Sequence, residues 1–414
     1  MQKSEAVVIP MQKNFNDVEF LFPREFDMDS FIQATPLEPF SDNSIEYLNA
    51  LSLELNKDKD IRNYPDVATF AFFCRKANIL HFKKDYSQED ILRLGRGIIF
   101  HIAPSNVPVN FAYSLICGLL SGNLNIVRVP SKEFEQIDII CNAMIKVSME
   151  PKYQPFSSRI ALVRYARQNS ATAYFSSICD VRIIWGGDST IEQIRVNKIP
   201  PRSFDVTFAD RYSLCAINAD KYISEASPEK IALGFYNDTY LFDQNACTAP
   251  HLIIWLGRSE NIENAQRIFW DNLYKLVKLR YKVQPVIAVD KLTSFYNQAT
   301  QLSNVKKLIT PDNLIWRIEL NDLSKDIEAY RCTSGYFSEY KAKSLFELSK
   351  IIDRKYQTLS YYGIEKNDLI RFITQAKPNG IDRIVPIGKT TDFSLTWDGF
   401  TLIETLSRKI DVLI

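Results

Sequence analysis

The chain has 414 residues, 46% hydrophobic and 24% charged, and its 50 basic and 49 acidic residues leave a net charge of +1. That balance removes the electrostatic case for nucleic acid or an anionic membrane, and the length exceeds the ~250–300 residues at which one core stops growing, so two lobes are expected. Seven scattered cysteines without a CxxC pair, and only three histidines, argue against a metal site and fit a reducing, cytoplasmic setting.

Taken in chain order, Met1–Pro10 lacks the apolar core of a signal peptide. Residues 1–94 read as largely helical. Ser41-Asp-Asn-Ser44 offers capping residues before the helically spaced run Ile45–Leu55, and Tyr64-Pro65-Asp66 opens another helix through about Lys76. From residue 95 the rhythm becomes strand, loop, helix. Gly97–Ala103 is a buried-strand run, Phe111–Leu120 an apolar helix stopped by Gly122-Asn123, and Leu124–Val129 the next strand. Glu133–Met149 is an amphipathic helix. Ser158–Arg164 and Asp180–Trp185 repeat the strand pattern, the second running through Gly186-Gly187 into a helix over Ile191–Val196. The uncharged stretch Ile98–Val127 is long enough to span a bilayer, but Pro104, Pro108, Asn106 and Gly118 would leave backbone groups unsatisfied in lipid, so strand–loop–helix is preferred. Further on, Leu233–Cys247 reads as a helix running into a turn, His251–Leu256 as a strand, and Asn261–Val277 and Leu345–Asp353 as helices. Gly380–Gly388 is a strand and Phe400–Arg408 a last amphipathic segment. This alternation predicts an α/β protein with a doubly wound parallel sheet.

Two segments carry chemistry. Cys247 follows Gln244-Asn-Ala in a turn of small neighbours where a bulky group could approach, and turn or helix termini can lower a thiol pKa. Cys117, Cys141, Cys179 and Cys215 sit in apolar runs and read as inert. Asn106, between Pro104 and Pro108 after a strand, is placed where the carboxyl ends of parallel strands form a ligand crevice. Its amide could hold a developing oxyanion. Gly186-Gly187-Asp188 combines a glycine turn with a helix start, which presents backbone N–H groups to phosphate. The GxGxxG and GxxxxGK[ST] fingerprints are missing.

In their order these pieces resemble the aldehyde dehydrogenase superfamily. Gly97–Lys132, Asp243–Pro250, Arg383–Gly388 and Asp392–Phe400 are similar, more closely, to the bacterial long-chain fatty acyl-CoA reductases of bioluminescence fatty-acid reductase complexes. The resemblance covers about residues 90–414. It implies an aldehyde-dehydrogenase-like fold: a Rossmann-like cofactor domain over 1–230, a catalytic domain over 231–385 carrying Cys247, and a segment 386–414 returning to the cofactor domain. Cys247 and Asn106 fall on the catalytic positions, and Ser105, Arg128, Pro130, Ser131, Lys132, Gly186, Gly187 and Asp188 on or beside the cofactor-binding ones. Oxidising relatives place a base glutamate where this chain has Ala209, so a thioester on Cys247 would escape water unless the adjacent Asp210 substitutes for that base. NAD-preferring relatives carry a glutamate near the place of Lys132; Arg128 and Lys132 favour a 2′-phosphate instead.

The expected activity is NADPH-dependent reduction of an acyl-CoA or acyl-protein thioester to a fatty aldehyde through a Cys247 thioester. The alternatives are an acyl-accepting docking subunit without reductase activity and an aldehyde dehydrogenase working in the oxidative direction. The expected partners are acyl-CoA or an acylated partner protein, an acyl-protein synthetase and a second copy of the chain. His251, four residues past Cys247, is a tempting base that strand spacing carries away from the sulfur.

Overall fold

The computed structural model describes residues 17–86, 91–105, 107–167, 169–302 and 305–412. The chain forms two compact units: residues up to Ala209 together with Phe400 onward, and Asp210–Gly399.

The first unit is built on six strands: β1 (Glu19–Phe22), β2 (Ile98–Ile102), β3 (Leu124–Arg128), β4 (Ile160–Arg164), β5 (Val181–Trp185) and β6 (Phe204–Phe208). Their order is β1-β4-β3-β2-β5-β6, with only β1 antiparallel to its neighbour. After the edge strand β1, the parallel part starts in the middle at β2, winds out through β3 and β4, then returns to build β5 and β6 on the other side. The order reverses between β2 and β5, and a doubly wound sheet opens its ligand crevice outside the carboxyl ends of the strands at such a point. The strands can be apolar along their length because both faces are covered; Phe100, Ile126, Val163, Ile184 and Phe175 share one core. Helix α1 (Asn110–Leu120) is the uncharged one, and with β2 and β3 it makes the described parts of the uncharged stretch strand, helix and strand. Among the described residues no helix is long and apolar enough to cross a membrane.

His101, in the middle of β2, is fully buried. Its Nδ1 meets Ser114 Oγ at 2.7 Å, its Nε2 meets Asn125 Oδ1 at 3.0 Å, and Trp185 Nε1 donates to the same Ser114 at 3.0 Å. Gly118 of α1 is glycine because a Cβ there would lie 1.7 Å from Asn125 Oδ1, inside this network.

The second unit has seven strands: β7 (Tyr212–Asn218), β8 (Pro250–Leu256), β9 (Val305–Lys307), β10 (Trp316–Leu320), β11 (Tyr336–Lys341), β12 (Tyr356–Tyr362) and β13 (Arg383–Pro386). Their order is β9-β10-β11-β8-β7-β12-β13, parallel except for β9 against β10. Side-chain alternation feeds two cores. Leu214, Ala216, Leu252 and Ile254 face one side, and Cys215, Ile217, Ile253 and Trp255 the other.

The chain passes between units at Ala209/Asp210 and Gly399/Phe400, against 230 and 386 in the sequence reading. The reason at the first boundary is β7, which hydrogen-bonds to β8 and β12 in the second sheet. At the end of the chain, Ser407–Ile410 pairs antiparallel with Leu92–Gly95 of the first unit. Two local readings also differ. The helix expected from Tyr64 to Lys76 is two helices, Pro65–Phe73 and Lys76–Tyr86, the second begun where Lys76 N donates to Asn49 Oδ1 at 3.0 Å. Leu345–Lys350 is 3-10 rather than α-helical.

Candidate active site

Helix α2 (Pro228–Thr239) runs into a 3-10 turn over Tyr240–Phe242, and the chain then takes two left-handed residues, Asp243 (φ 52°) and Gln244 (φ 60°). What holds this uncommon backbone is the buried Gln244 amide. Its Nε2 donates to the carbonyls of Pro250 (3.0 Å) and Tyr336 (3.1 Å), and its Oε1 accepts from Gly335 N (2.9 Å) and Tyr336 N (3.1 Å). Asp243 is fixed from outside by the Tyr281 hydroxyl at 2.6 Å. The turn therefore delivers Cys247 at a set place just ahead of β8, where Ser213 Oγ donates to its carbonyl at 2.7 Å.

All seven cysteines lie among the described residues; six are buried and Cys247 alone is partly open. Burial pushes Cys141, Cys179 and Cys215 up to about 12, in keeping with inert thiols. Cys247 is also pushed up to about 12, by burial first and then by the Asp398 carboxylate, with Gln357 and Arg211 pulling the other way. A thiol pKa lowered by the turn, as its sequence context suggested, is therefore not what surrounds Cys247. The sulfur sits against an acidic neighbour, and desolvation outweighs the turn.

Around the sulfur the second unit gathers residues far apart in sequence. Gln357 Nε2, at the start of β12, donates to Cys247 Sγ at 3.4 Å and also to Asp398 Oδ1. Asp398 stands in a tight turn with Gly399, both at positive φ (47° and 75°). Arg211, just ahead of β7, lies 3.7 Å from Asp398 and pairs with Asp382 at 2.5 Å. Arg383 covers the Trp397 ring at 4.9 Å. These groups collect at the amino ends of β7, β8, β12 and β13. Sequence reasoning did not single out Gln357, Arg211 or Asp382. Asp398 was quoted only inside a family-like stretch.

The other candidates divide. Asn106 lies outside the described residues. His251 is buried and stacked on Tyr212 at 5.6 Å, and burial, with Arg331 nearby, drives its pKa down to about 3, so it is a poor base. Asp210 is engaged by Arg331 at 2.6 Å from each carboxylate oxygen. Ala209 packs against the core of the first unit.

In the first unit the expected cofactor residues follow the carboxyl ends of adjacent strands: Ser105 after β2, Arg128 to Lys132 at and after β3, and Gly186 to Asp188 after β5. Arg128 lies over the Tyr165 ring at 4.8 Å and reaches Ser131 Oγ and Tyr165 O, yet its Nε is buried with no hydrogen-bond partner among the described residues. Pro130 is buried, whereas Ser131 and Lys132 are exposed, Lys132 lying over Phe134. Gly187 caps the helix Asp188–Arg195 with open space where a Cβ would stand. Arg167, not singled out by sequence reasoning, reaches from the loop after β4 to Thr190 Oγ1 at 2.8 Å. An orphaned guanidinium nitrogen, an open glycine cap and a second arginine fit a dinucleotide's phosphates. Asp188, beside the cap, is the one residue of this group unsuited to meeting them. Among the described residues no group of three or more His, Cys, Asp or Glu could hold a metal ion.

A family model described as acyl-CoA reductase (LuxC) matches residues 77–409. The long-chain acyl-protein thioester reductase of Vibrio harveyi is 25% identical over 302 residues, 72% of this chain and 60% of the relative. That of Aliivibrio fischeri is 22% identical over 304 residues, with the same coverage. The chain thus spans 60% of the length of these curated relatives. Among solved structures, aldehyde dehydrogenase 21 from Physcomitrella patens, in complex with the product succinate, superposes with a TM-score of 0.67 at 10% identity, over 92% of this chain and 88% of that one. Lactaldehyde dehydrogenase from Escherichia coli gives 0.61 at 10% identity, over 89% and 85%. At such identities the likeness is one of fold.

Proposed function

The chain belongs to the acyl-CoA reductase (LuxC) family and has an aldehyde-dehydrogenase-like fold; from that premise we propose that it reduces an acyl thioester to an aldehyde using NADPH. The observation that carries this reading is Cys247, the partly open thiol in a fixed turn, with a side-chain amide donating to its sulfur. Cys247 as thiolate attacks the acyl carbonyl, the bond to the departing thiol breaks, and the acyl group stays on the sulfur. The Asn106 amide, on the motif it shares with the superfamily, holds the charge that develops on oxygen. NADPH, when bound, supplies the hydride that takes this thioester to a thiohemiacetal, whose collapse frees the aldehyde and restores the thiol. Arg128, Ser131 and Lys132 would hold the 2′-phosphate, Gly187 and its neighbours the pyrophosphate.

Two features favour reduction over hydrolysis. Ala209 supplies no base, and Asp210 is held by Arg331. The acyl donor is acyl-CoA or an acylated partner protein, the latter loaded by an acyl-protein synthetase; both present the same thioester to Cys247. Incubation with long-chain acyl-CoA in the absence of NADPH should leave an acyl adduct on the Cys247 peptide, and added NADPH should discharge it as aldehyde. NADPH consumption with the adduct on Cys332, or with none, would sink the assignment.

A further inference from the structure

The Gln357 carboxamide has two N–H bonds, and the structure directs one to Cys247 Sγ (3.4 Å) and the other to Asp398 Oδ1. A carboxylate can only accept, so Asp398 decides which end of the amide faces this corner. Turned over, the amide would point Oε1 at both the carboxylate and the sulfur lone pairs, acceptor against acceptor. As it stands, Oε1 is turned to Thr358 Oγ1, at 3.4 Å. Asp398 is itself placed: its side chain is buried on a left-handed residue, and Arg211 holds Oδ2 at 3.7 Å while anchored to Asp382 and the Tyr356 carbonyl (2.8 Å).

We infer that Gln357 is a catalytic residue that donates to the Cys247 sulfur when it becomes an anion, and that Asp398 positions Gln357 for this task. The inference rests on the reading of Cys247 as the nucleophile. When the thiol gives its proton to water, the remaining sulfur anion accepts the Gln357 N–H, and a hydrogen bond to the charged form favours that form. Asp398 plays two opposed parts. It sets the donor in place, and its own charge resists a second anion. The charged groups facing this corner are Arg211, Asp382 and Arg383 in addition to Asp398 and the thiol. Gln357 gives the acid-flanked sulfur a donor that offsets the acid.

The test is the rate of iodoacetamide alkylation at Cys247 in the full chain, resolved by peptide mass spectrometry, which needs neither acyl donor nor cofactor. Gln357→Met and Gln357→Leu should slow alkylation at about pH 8 by roughly tenfold or more, the loss of one hydrogen bond to a charged group, with thermal melting checked alongside. Methionine, unbranched and of similar length, serves if leucine does not fold. Wild-type rates in a folded Gln357 variant would overturn the inference. For Asp398 the readout is non-additivity. Asp398→Asn in the Gln357→Met background removes only a repulsive charge and should speed alkylation. In the wild-type background the gain should be at least about threefold smaller, or become a loss, because the amide is then free to turn. Equal gains in both backgrounds would overturn the positioning role. A chain that alkylates as expected but takes no acyl group would count against the proposed function alone.

Discussion

At the scale of single residues, the resting Cys247 thiol is protected by its surroundings. With its pKa pushed up to about 12, the thiol is protonated at pH 7. Burial and the Asp398 carboxylate disfavour the anion, so deprotonation is displaced to high pH. Alkylation of Cys247 should therefore rise by about tenfold per pH unit from pH 7 to 9, without levelling off. A plateau near pH 8, measured on the isolated peptide after quenching, would show that the thiol is not held up in this way. Cys247 itself was legible, because a cysteine among small residues after Gln244 breaks the apolar pattern that hides Cys117, Cys141, Cys179 and Cys215. Gln357, 110 residues further on, was not. Its role depends on where β12 lies beside β7 and on a turn at Asp398-Gly399, and neither leaves a local mark. Asp398 was visible only as one letter of a family-like stretch, with no chemistry to attach to it.

At the scale of elements, β2 shows how one strand serves both fold and site. Its apolar residues build the core, its carboxyl end opens at the switch point, and its one polar side chain, His101, ties α1, β3 and β5 together. Burial drives the His101 pKa down to about 4, below the ordinary 6.5 of the unfolded chain. The unfolded state therefore takes up the proton first. The neutral ring contributes stability that is present above pH 6.5 and is lost as pH falls toward 4. Between pH 7 and pH 5 the loss should come to about 2 kcal/mol. His101→Gln, which can still hydrogen-bond but does not titrate, should show that much less acid sensitivity in denaturant midpoints at the two pH values. Equal sensitivity would mean that other groups govern the acid response. Strongly apolar or strongly periodic elements such as β2, α1 and β5 were readable from sequence. The helix Val286–Gln301 was not, because it turns Lys291 and Gln298 inward and leaves Val289 and Tyr296 exposed, the reverse of the pattern that marks a helix.

At the scale of the whole molecule, the proposed function assigns different ends of the chemistry to the two units. The first offers the carboxyl ends of its parallel strands, the usual place for a ligand in a doubly wound sheet. Arg128 and Arg167 lie beyond those ends, as does the Gly187 cap, and under the proposed function they would meet the dinucleotide's phosphates. The second offers the amino ends of its strands, where Arg211, Cys247, Gln357 and Asp382 gather. A division of this kind makes the two partial functions separable by mutation. Cys247→Ala should abolish acylation while leaving NADPH affinity unchanged, since no dinucleotide-facing residue is altered. Lys132→Glu, with Arg128 left in its partly buried place, should leave acylation of Cys247 intact and lower NADPH affinity by about ten- to a hundredfold, the worth of a charge-assisted contact to phosphate. NADH, which lacks the 2′-phosphate, should lose far less, so the cofactor preference narrows or reverses. Fluorescence titration with both nucleotides, beside adduct formation from acyl-CoA, gives the two readings on the same protein. If Lys132→Glu weakened NADH and NADPH equally, or removed the acyl adduct, the positive charge after β3 would not be reading the 2′-phosphate, and Arg167 would become the next residue to change.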